Sequence, residues 1–204
     1  MLKIYVVGDS ISIHYGPYLE SNLRGIFEYS RKGGLEEAAL NVDHPIGANG
    51  GDSKMVLNHL QMVRDNSSID ADIFVINCGL HDIKIDPITQ QKQITIEEYE
   101  QNLFSIVKIV KIFSSKMVWV RTTPCDEAIH NNVKMTFHRF SSDCIAYNSV
   151  ADQVMNLMKI PIIDLHTFTL NLGEDLYCDH VHFHDSIRQQ QATYIAGCLR
   201  EFFC

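Results

Sequence analysis

Val6-Val7-Gly8-Asp9-Ser10-Ile11-Ser12 decides how the chain is read. A run of strand-forming residues, Leu2 to Val7, stops abruptly at three residues that let a backbone leave a strand without steric cost. Either Gly8-Asp9-Ser10 is ordinary turn chemistry or it presents Ser10 as a nucleophile. The rest of the chain has to separate the two.

Outward from this stretch, short β-branched runs alternate with longer helical patterns. Further strands are expected over Ala39 to Asp43, Asp72 to Asn77, Met117 to Arg121 and Ile160 to Leu165. Several are nearly continuous apolar runs, as suits strands covered on both faces. Thr95-Ile96-Glu97-Glu98 has capping-box spacing, and Tyr99, Leu103, Ile106, Val107 and Val110 follow at helical intervals. Ile187, Tyr194, Ile195, Cys198, Leu199 and Phe202 repeat that pattern at the end. Five strands alternating with five helices imply an α/β protein with one parallel sheet between helical layers.

The chain has 204 residues, 46% of them hydrophobic and 21% charged, without an internal repeat or linker, so residues 1–204 are expected to form one domain. A formal charge of −8 with no Lys/Arg cluster argues against nucleic-acid and anionic-membrane partners. There is no run of the roughly 18 to 20 apolar residues that a bilayer span needs, and no signal-like start, so a cytoplasmic protein is expected. The six cysteines show no CxxC spacing and are expected to be reduced. Residues 86–93 read as a surface excursion, and 166–183 as a long connection without evident secondary structure, of the kind that is often functional.

In an open parallel sheet the active site forms beyond the carboxyl ends of the strands. That edge would gather Gly8-Asp9-Ser10, the loop from Gly47 to Ser53, Asn77 to Asp82, and Asp179 to His184. A serine hydroxyl needs a base, and His182 suits that role, with Asp179 three residues earlier able to orient it. Oxyanion donors would be the Ser10 N–H and a close backbone approach at Gly50-Gly51.

These residues resemble the SGNH or GDSL hydrolases over nearly the whole chain. Gly8-Asp9-Ser10 is similar to the first block, Gly51-Asp52-Ser53 to the second, and Asp179-His180-Val181-His182 to the final Asp-x-x-His block. Thr122-Thr123-Pro124, Tyr147-Asn148 and Ile163-Asp164-Leu165 also stand where the family has similar residues. The resemblance implies a three-layer α/β/α fold with a five-stranded flavodoxin-like sheet and a serine esterase acting through an acyl-enzyme on Ser10. It implies Gly51 as an oxyanion donor, no metal or organic cofactor, and small-molecule or carbohydrate ester substrates. The third block departs: Gly79-Leu80-His81-Asp82 has His81 where the family has Asn, and a neutral imidazole can still donate one N–H.

Two readings compete with the esterase. His180, His182 and His184 alternate and invite a metal site. A degenerate family member would bind a carbohydrate or acyl group without turnover. A nucleotide-binding domain is disfavoured by the absence of GxGxxG and GxxxxGK[ST]. Asp9 and Asp82 are assigned to loop architecture, Cys78 and Cys125 to burial, and Phe137, Phe168 and Tyr177 to packing or an apolar wall. Acyl length, alcohol and oligomeric state are not written in these patterns.

Overall fold

A computed structural model describes residues 1–67, 69–113, 115–133 and 136–204. In chain order the elements are β1 (Leu2–Val7), α1 (Ser10–Leu23), β2 (Phe27–Arg31), α2 (Leu35–Leu40), α3 (Ser53–Asp65), β3 (Ile73–Ile76) and α4 (Ile96–Ile112). β4 (Lys116–Val120), α5 (Glu127–Val133), α6 (Ser141–Met158), β5 (Ile162–Ile163), α7 (Leu165–Leu170) and α8 (Asp185–Phe203) follow. All strand pairs are parallel, in the order β2-β1-β3-β4-β5. Helices α1 and α8 pack together on one face, and α3, α4 and α6 form the other layer.

The three central strands follow directly from composition. In β3, Ile-Phe-Val-Ile is buried along its whole length, and β4 buries Met117 to Val120, because helices cover both faces of a parallel sheet. β1 pairs Ile4 with Ile73 and Val7 with Ile76, so its carboxyl end stops level with that of β3. Trp119, Phe74, Tyr99 and Tyr147 fill the core around them.

The second strand is a correction. Ala39 to Asp43 is not a strand: Leu35-Glu36-Glu37-Ala38-Ala39-Leu40 forms α2, and Asn41 begins a turn in which its side chain accepts the Asp43 N–H. Good helix formers decide the first part, and Leu40 stays exposed instead of entering a core. The actual edge strand is Phe27–Arg31, whose alternation of buried and exposed residues reflects an edge with one face in water. It is locked to β1 by the Lys32 N–H to Val6 O (3.0 Å) and Ser30 Oγ to Ile4 O (2.8 Å). β5 is also shorter than Ile160 to Leu165, since Asp164 caps α7 by accepting the Thr167 N–H, which ends the strand. Residues 166–183 therefore begin in a helix. Eight helices are present among the described residues instead of five; the short α2, α5 and α7 are the additions.

Two clamps hold the carboxyl edge of the sheet together. Asn148 of α6, fully buried, accepts the Thr122 N–H and donates to Thr122 O, both at 2.9 Å. Thr122 in turn donates its hydroxyl to Cys78 O (2.8 Å), linking the ends of β4 and β3. Gly79 sits so close to the Thr122 side chain, with φ +148°, that a Cβ there would collide. No helix among the described residues is long and apolar enough to cross a membrane.

Asn148→Ala leaves the Thr122 N–H buried without a partner and Thr122 O with only the Cys144 thiol, 4.0 Å away. Urea denaturation should show a loss of about 2 to 4 kcal/mol; an unchanged midpoint would mean that the β4 edge is held by something else.

Candidate active site

Ser10 is the first residue of α1, immediately beyond β1. Asp9 caps the helix by accepting the Ile11 N–H (3.0 Å), and the Ser12 hydroxyl donates to Asp9 O (2.6 Å). The Ser10 N–H belongs to the first turn, where a helix leaves its donors without intrahelical acceptors. Gly8 and Asp9 are thus turn and cap chemistry, while the Ser10 side chain is free for another use.

That use is set from the far end of the chain. Ser10 Oγ lies 2.9 Å from His182 Nε2, although the two are 172 residues apart, and His182 Nδ1 lies 2.7 Å from Asp179 Oδ2. An ionised carboxylate only accepts, so Nδ1 carries the proton and Nε2 is left to accept from the Ser10 hydroxyl. Asp179 Oδ1 accepts the N–H groups of Val181 (2.8 Å) and His182 (2.7 Å), which curls the loop so that carboxylate and imidazole meet. Burial pushes the Asp179 carboxyl up, but these two backbone donors and the imidazole outweigh it and hold it below the ordinary value.

The loop itself is braced. Cys178 N–H donates to His182 O (2.8 Å), His184 N–H to Leu176 O (2.9 Å), and Tyr177 stacks on Phe183 at 5.0 Å. From the first turn of α8, Arg188 Nε donates to Phe183 O (2.7 Å). Tyr18 of α1 donates to Asp185 of α8 (2.6 Å), so the helix carrying Ser10 and the helix following His182 are tied beside the site.

The second and third blocks approach from α3 and β3. The Gly50 N–H donates to Gly8 O (2.8 Å), bringing the second loop against the first. Gly51 has φ +71°, and its N–H donates to Asn49 Oδ1 (3.0 Å). Asp52 caps α3 through the Met55 N–H (2.9 Å). Asp82, fully buried, accepts the Ser53 N–H at 2.9 and 3.1 Å. Asp9 and Asp82 therefore do shape loops. His81 is buried at 4% exposure, and burial pushes its pKa well below the usual imidazole value, so it is neutral at neutral pH.

The three alternating histidines do not converge. His180 turns to Asp43 (Nε2 to Oδ1, 3.1 Å), His182 to Ser10, and His184 to Asp175 (3.4 Å). No group of three or more His, Cys, Asp or Glu among the described residues is arranged around one point. All six cysteines are free; Cys78 and Cys125 are buried, and burial pushes the Cys125 thiol up to about 11. Of the three aromatic residues singled out, Phe168 stacks on Tyr194 at 4.1 Å, and Phe137 lines an open cavity of about 770 Å³ with Asp43, Lys84, Gln91 and Gln93. Ser10 lies outside that lining. Tyr177 borders a second cavity of about 480 Å³.

Three neighbours of the site carried no motif. His14 sits edge-on to His182 with ring centres 4.7 Å apart, and burial, then the nearby His182, push its pKa down to about 4. His130 meets His180 (Nδ1 to Nδ1, 2.9 Å), and Arg139 donates from Nε to Leu80 O (2.6 Å). His14 follows Ser10 by one helical turn, which is the one signal that places it on the same face.

Asp82 makes the site's integrity depend on pH. Burial raises its pKa from 3.8 to about 7. The folded chain holds this proton more tightly than the unfolded one, so Asp82 favours folding below about pH 4 and that contribution is lost as pH rises through about 7. Wild type should lose stability relative to Asp82→Asn by a few kcal/mol, on the order of one per unit, across that window in urea titrations. Parallel pH profiles would refute the assignment.

No family model and no curated protein matches the chain. Solved structures do. A lipase/acylhydrolase from Enterococcus faecalis superposes with a TM-score of 0.72 at 18% identity, covering 99% of this chain and 97% of that one. An acetyl xylan esterase, AlAXEase, gives 0.71 at 15% identity over 97% and 100% of the two chains. Est24, a carbohydrate acetylesterase from Sinorhizobium meliloti, gives 0.69 at 14% identity over the whole of both. Its strand order, its helical layers and these superpositions together give the chain the fold of the SGNH/GDSL hydrolases.

Proposed function

We propose that the chain is a serine esterase or acylhydrolase that cleaves a carboxylic ester through an acyl-enzyme on Ser10. The observation that carries the reading is the continuous hydrogen-bonded chain from Asp179 through His182 to Ser10. Ser10 Oγ attacks the ester carbonyl carbon while its proton passes to His182 Nε2, and Asp179 stabilises the imidazolium. Collapse of the tetrahedral intermediate expels the alcohol, which takes that proton. Water, deprotonated by His182, then attacks the acyl-Ser10 carbonyl; the bond to Ser10 Oγ breaks, Oγ takes the proton back from His182, and the carboxylic acid leaves.

The oxyanion is received by the Ser10 N–H, with the Gly51 N–H and His81 as further donors. Gly51 reaches this role by exchanging its bond to Asn49 Oδ1 for the oxyanion. His81, held neutral by burial, donates one ring N–H in place of an amide. The acetyl xylan esterase and carbohydrate acetylesterase among the structural neighbours make an O-acetyl or short acyl group on a carbohydrate the first substrate to try.

Intact-mass labelling with a fluorophosphonate tests the nucleophile. Wild type should gain one adduct and Ser10→Ala none, and wild type should hydrolyse nitrophenyl acetate or butyrate. A folded wild type that neither labels nor turns over any ester at any pH would leave a binding module instead.

The donor role of His81 has its own test. His81→Asn should keep most of kcat/KM, and His81→Ala should lose roughly tenfold to a thousandfold, as expected for one oxyanion donor. Because His81 is already neutral, the acid limb of the pH profile should not move in His81→Asn. Equal activity in His81→Ala and wild type would remove His81 from the mechanism.

A further inference from the structure

Among the described residues, Arg139 is a buried cation that forms no ion pair with a carboxylate. Its residue exposure is 4%, and its backbone is pinned from both sides by Asn131, which accepts the Arg139 N–H (2.9 Å) and donates to Arg139 O (3.0 Å). Of its five donor hydrogens, the one on Nε goes to Leu80 O, and Nη1 stands 3.5 Å from His130 Nδ1, at the limit of a hydrogen bond. Nη2 has no acceptor among the described residues, and it is not among the polar atoms sealed from water. No described carboxylate forms an ion pair with the guanidinium; the nearby Asp9 and Asp43 act on it only through space. Asp9 is occupied as the cap of α1, and Asp43 faces His180.

The placement is at the catalytic end of the molecule. Leu80, which receives Nε, adjoins His81, and the charge of Arg139 helps to keep the His81 imidazole deprotonated. The Phe137 ring lies 5.0 Å from Arg139 Cζ and 4.5 Å from Lys84 Nζ, and both Phe137 and Lys84 line the 770 Å³ cavity. A guanidinium with Nη2 unfilled and Nη1 only weakly engaged suits a carboxylate or phosphate, and a buried cation left without a counter-ion is unfavourable.

We infer that Arg139 recognises a carboxylate or phosphate group carried by the ester substrate, so that the Ser10 site selects anionic over neutral esters. The inference rests on the esterase reading for its substrate, but not for its binding chemistry. Lys84 adds a second positive charge on the Phe137 side.

Two pairs of near-isosteric esters locate the anion. Mono(4-nitrophenyl) succinate against 4-nitrophenyl pentanoate tests an anion on the acyl half, and 3-acetoxybenzoate against 3-acetoxybenzamide tests one on the alcohol half. In one pair, wild type should prefer the anionic ester. That ratio of kcat/KM should fall about tenfold to a hundredfold in Arg139→Gln, and part of the way in Arg139→Lys, which keeps the charge but loses the fork. A role confined to holding Leu80 would lower both members of a pair alike, and unchanged ratios in all three proteins overturn the inference.

Binding is read separately in Ser10→Ala by calorimetry with inorganic phosphate and with succinate. Heat that weakens on adding Arg139→Lys and disappears on adding Arg139→Gln supports the anion site even if no ester is turned over, an outcome that would sink the esterase reading alone. Folded Ser10→Ala that binds neither ion overturns the anion site even if nitrophenyl acetate is hydrolysed. Should Arg139→Gln fail to fold, the Arg139→Lys ratios and the two titrations still decide.

Discussion

Burying His182 at 1% exposure is tolerable only because both ring nitrogens are partnered, and much of the surrounding structure exists to meet that condition. Nδ1 requires Asp179 at 2.7 Å, which in turn requires the backbone curl of residues 179–182. Nε2 requires the first turn of α1 to arrive within 2.9 Å, from the other end of the chain. Tyr18–Asp185 and Arg188–Phe183 supply that register by tying α1 and the 176–184 loop to the start of α8. A loop of this length would otherwise sample many conformations, and a misplacement of an ångström would part Ser10 from His182.

The same edge is organised by carboxylates at helix starts. Asp9, Asp52 and Asp164 each accept from the first turn of the helix that follows a strand or loop, and Asp82 reaches from the third block to the Ser53 N–H at the start of α3. Each satisfies donors that a helix cannot satisfy itself, and each favours the positive end of the helix dipole. Their differences matter as much. Asp52 and Asp164 keep contact with water or a cation, whereas Asp82 is fully buried, and burial is what lifts its pKa towards neutrality. Asp9, buried like Asp82, is also pushed up by burial, so the framework holds two carboxylates whose burial favours the protonated form.

The central sheet and the Asp179–His182 pairing were legible because each is encoded locally. Leu2 to Val7, Ile73 to Ile76 and Met117 to Val120 are apolar runs that have no other place to go, and Asp179 to His182 folds back on itself within four residues. β2 was not legible, because Phe27-Glu28-Tyr29-Ser30-Arg31 is an edge strand whose exposed positions dilute the apolar signal, while Ala39 to Asp43 reads as a short strand although its first two residues end a helix that begins at Leu35. His14, His130 and Arg139 were invisible for a different reason. None belongs to a spaced motif; they become neighbours of His182 and His81 only once α1, α5 and the segment before α6 are packed at the carboxyl edge.

That packing gathers imidazoles at one edge of a chain whose formal charge is −8. His14, His130, His180 and His182 are linked by ring contacts of 4.7 to 5.9 Å, His182 reaches Ser10, and the nearby His182 also lowers the pKa of His81. Burial keeps His14 and His81 neutral, so these imidazoles furnish donors and acceptors without contributing charge at neutral pH. Arg139 differs because a guanidinium keeps its proton even when burial lowers its pKa. Among the described residues buried at this end of the molecule, Arg139 therefore carries a charge that persists at neutral pH, whereas burial keeps the imidazoles of His14 and His81 uncharged.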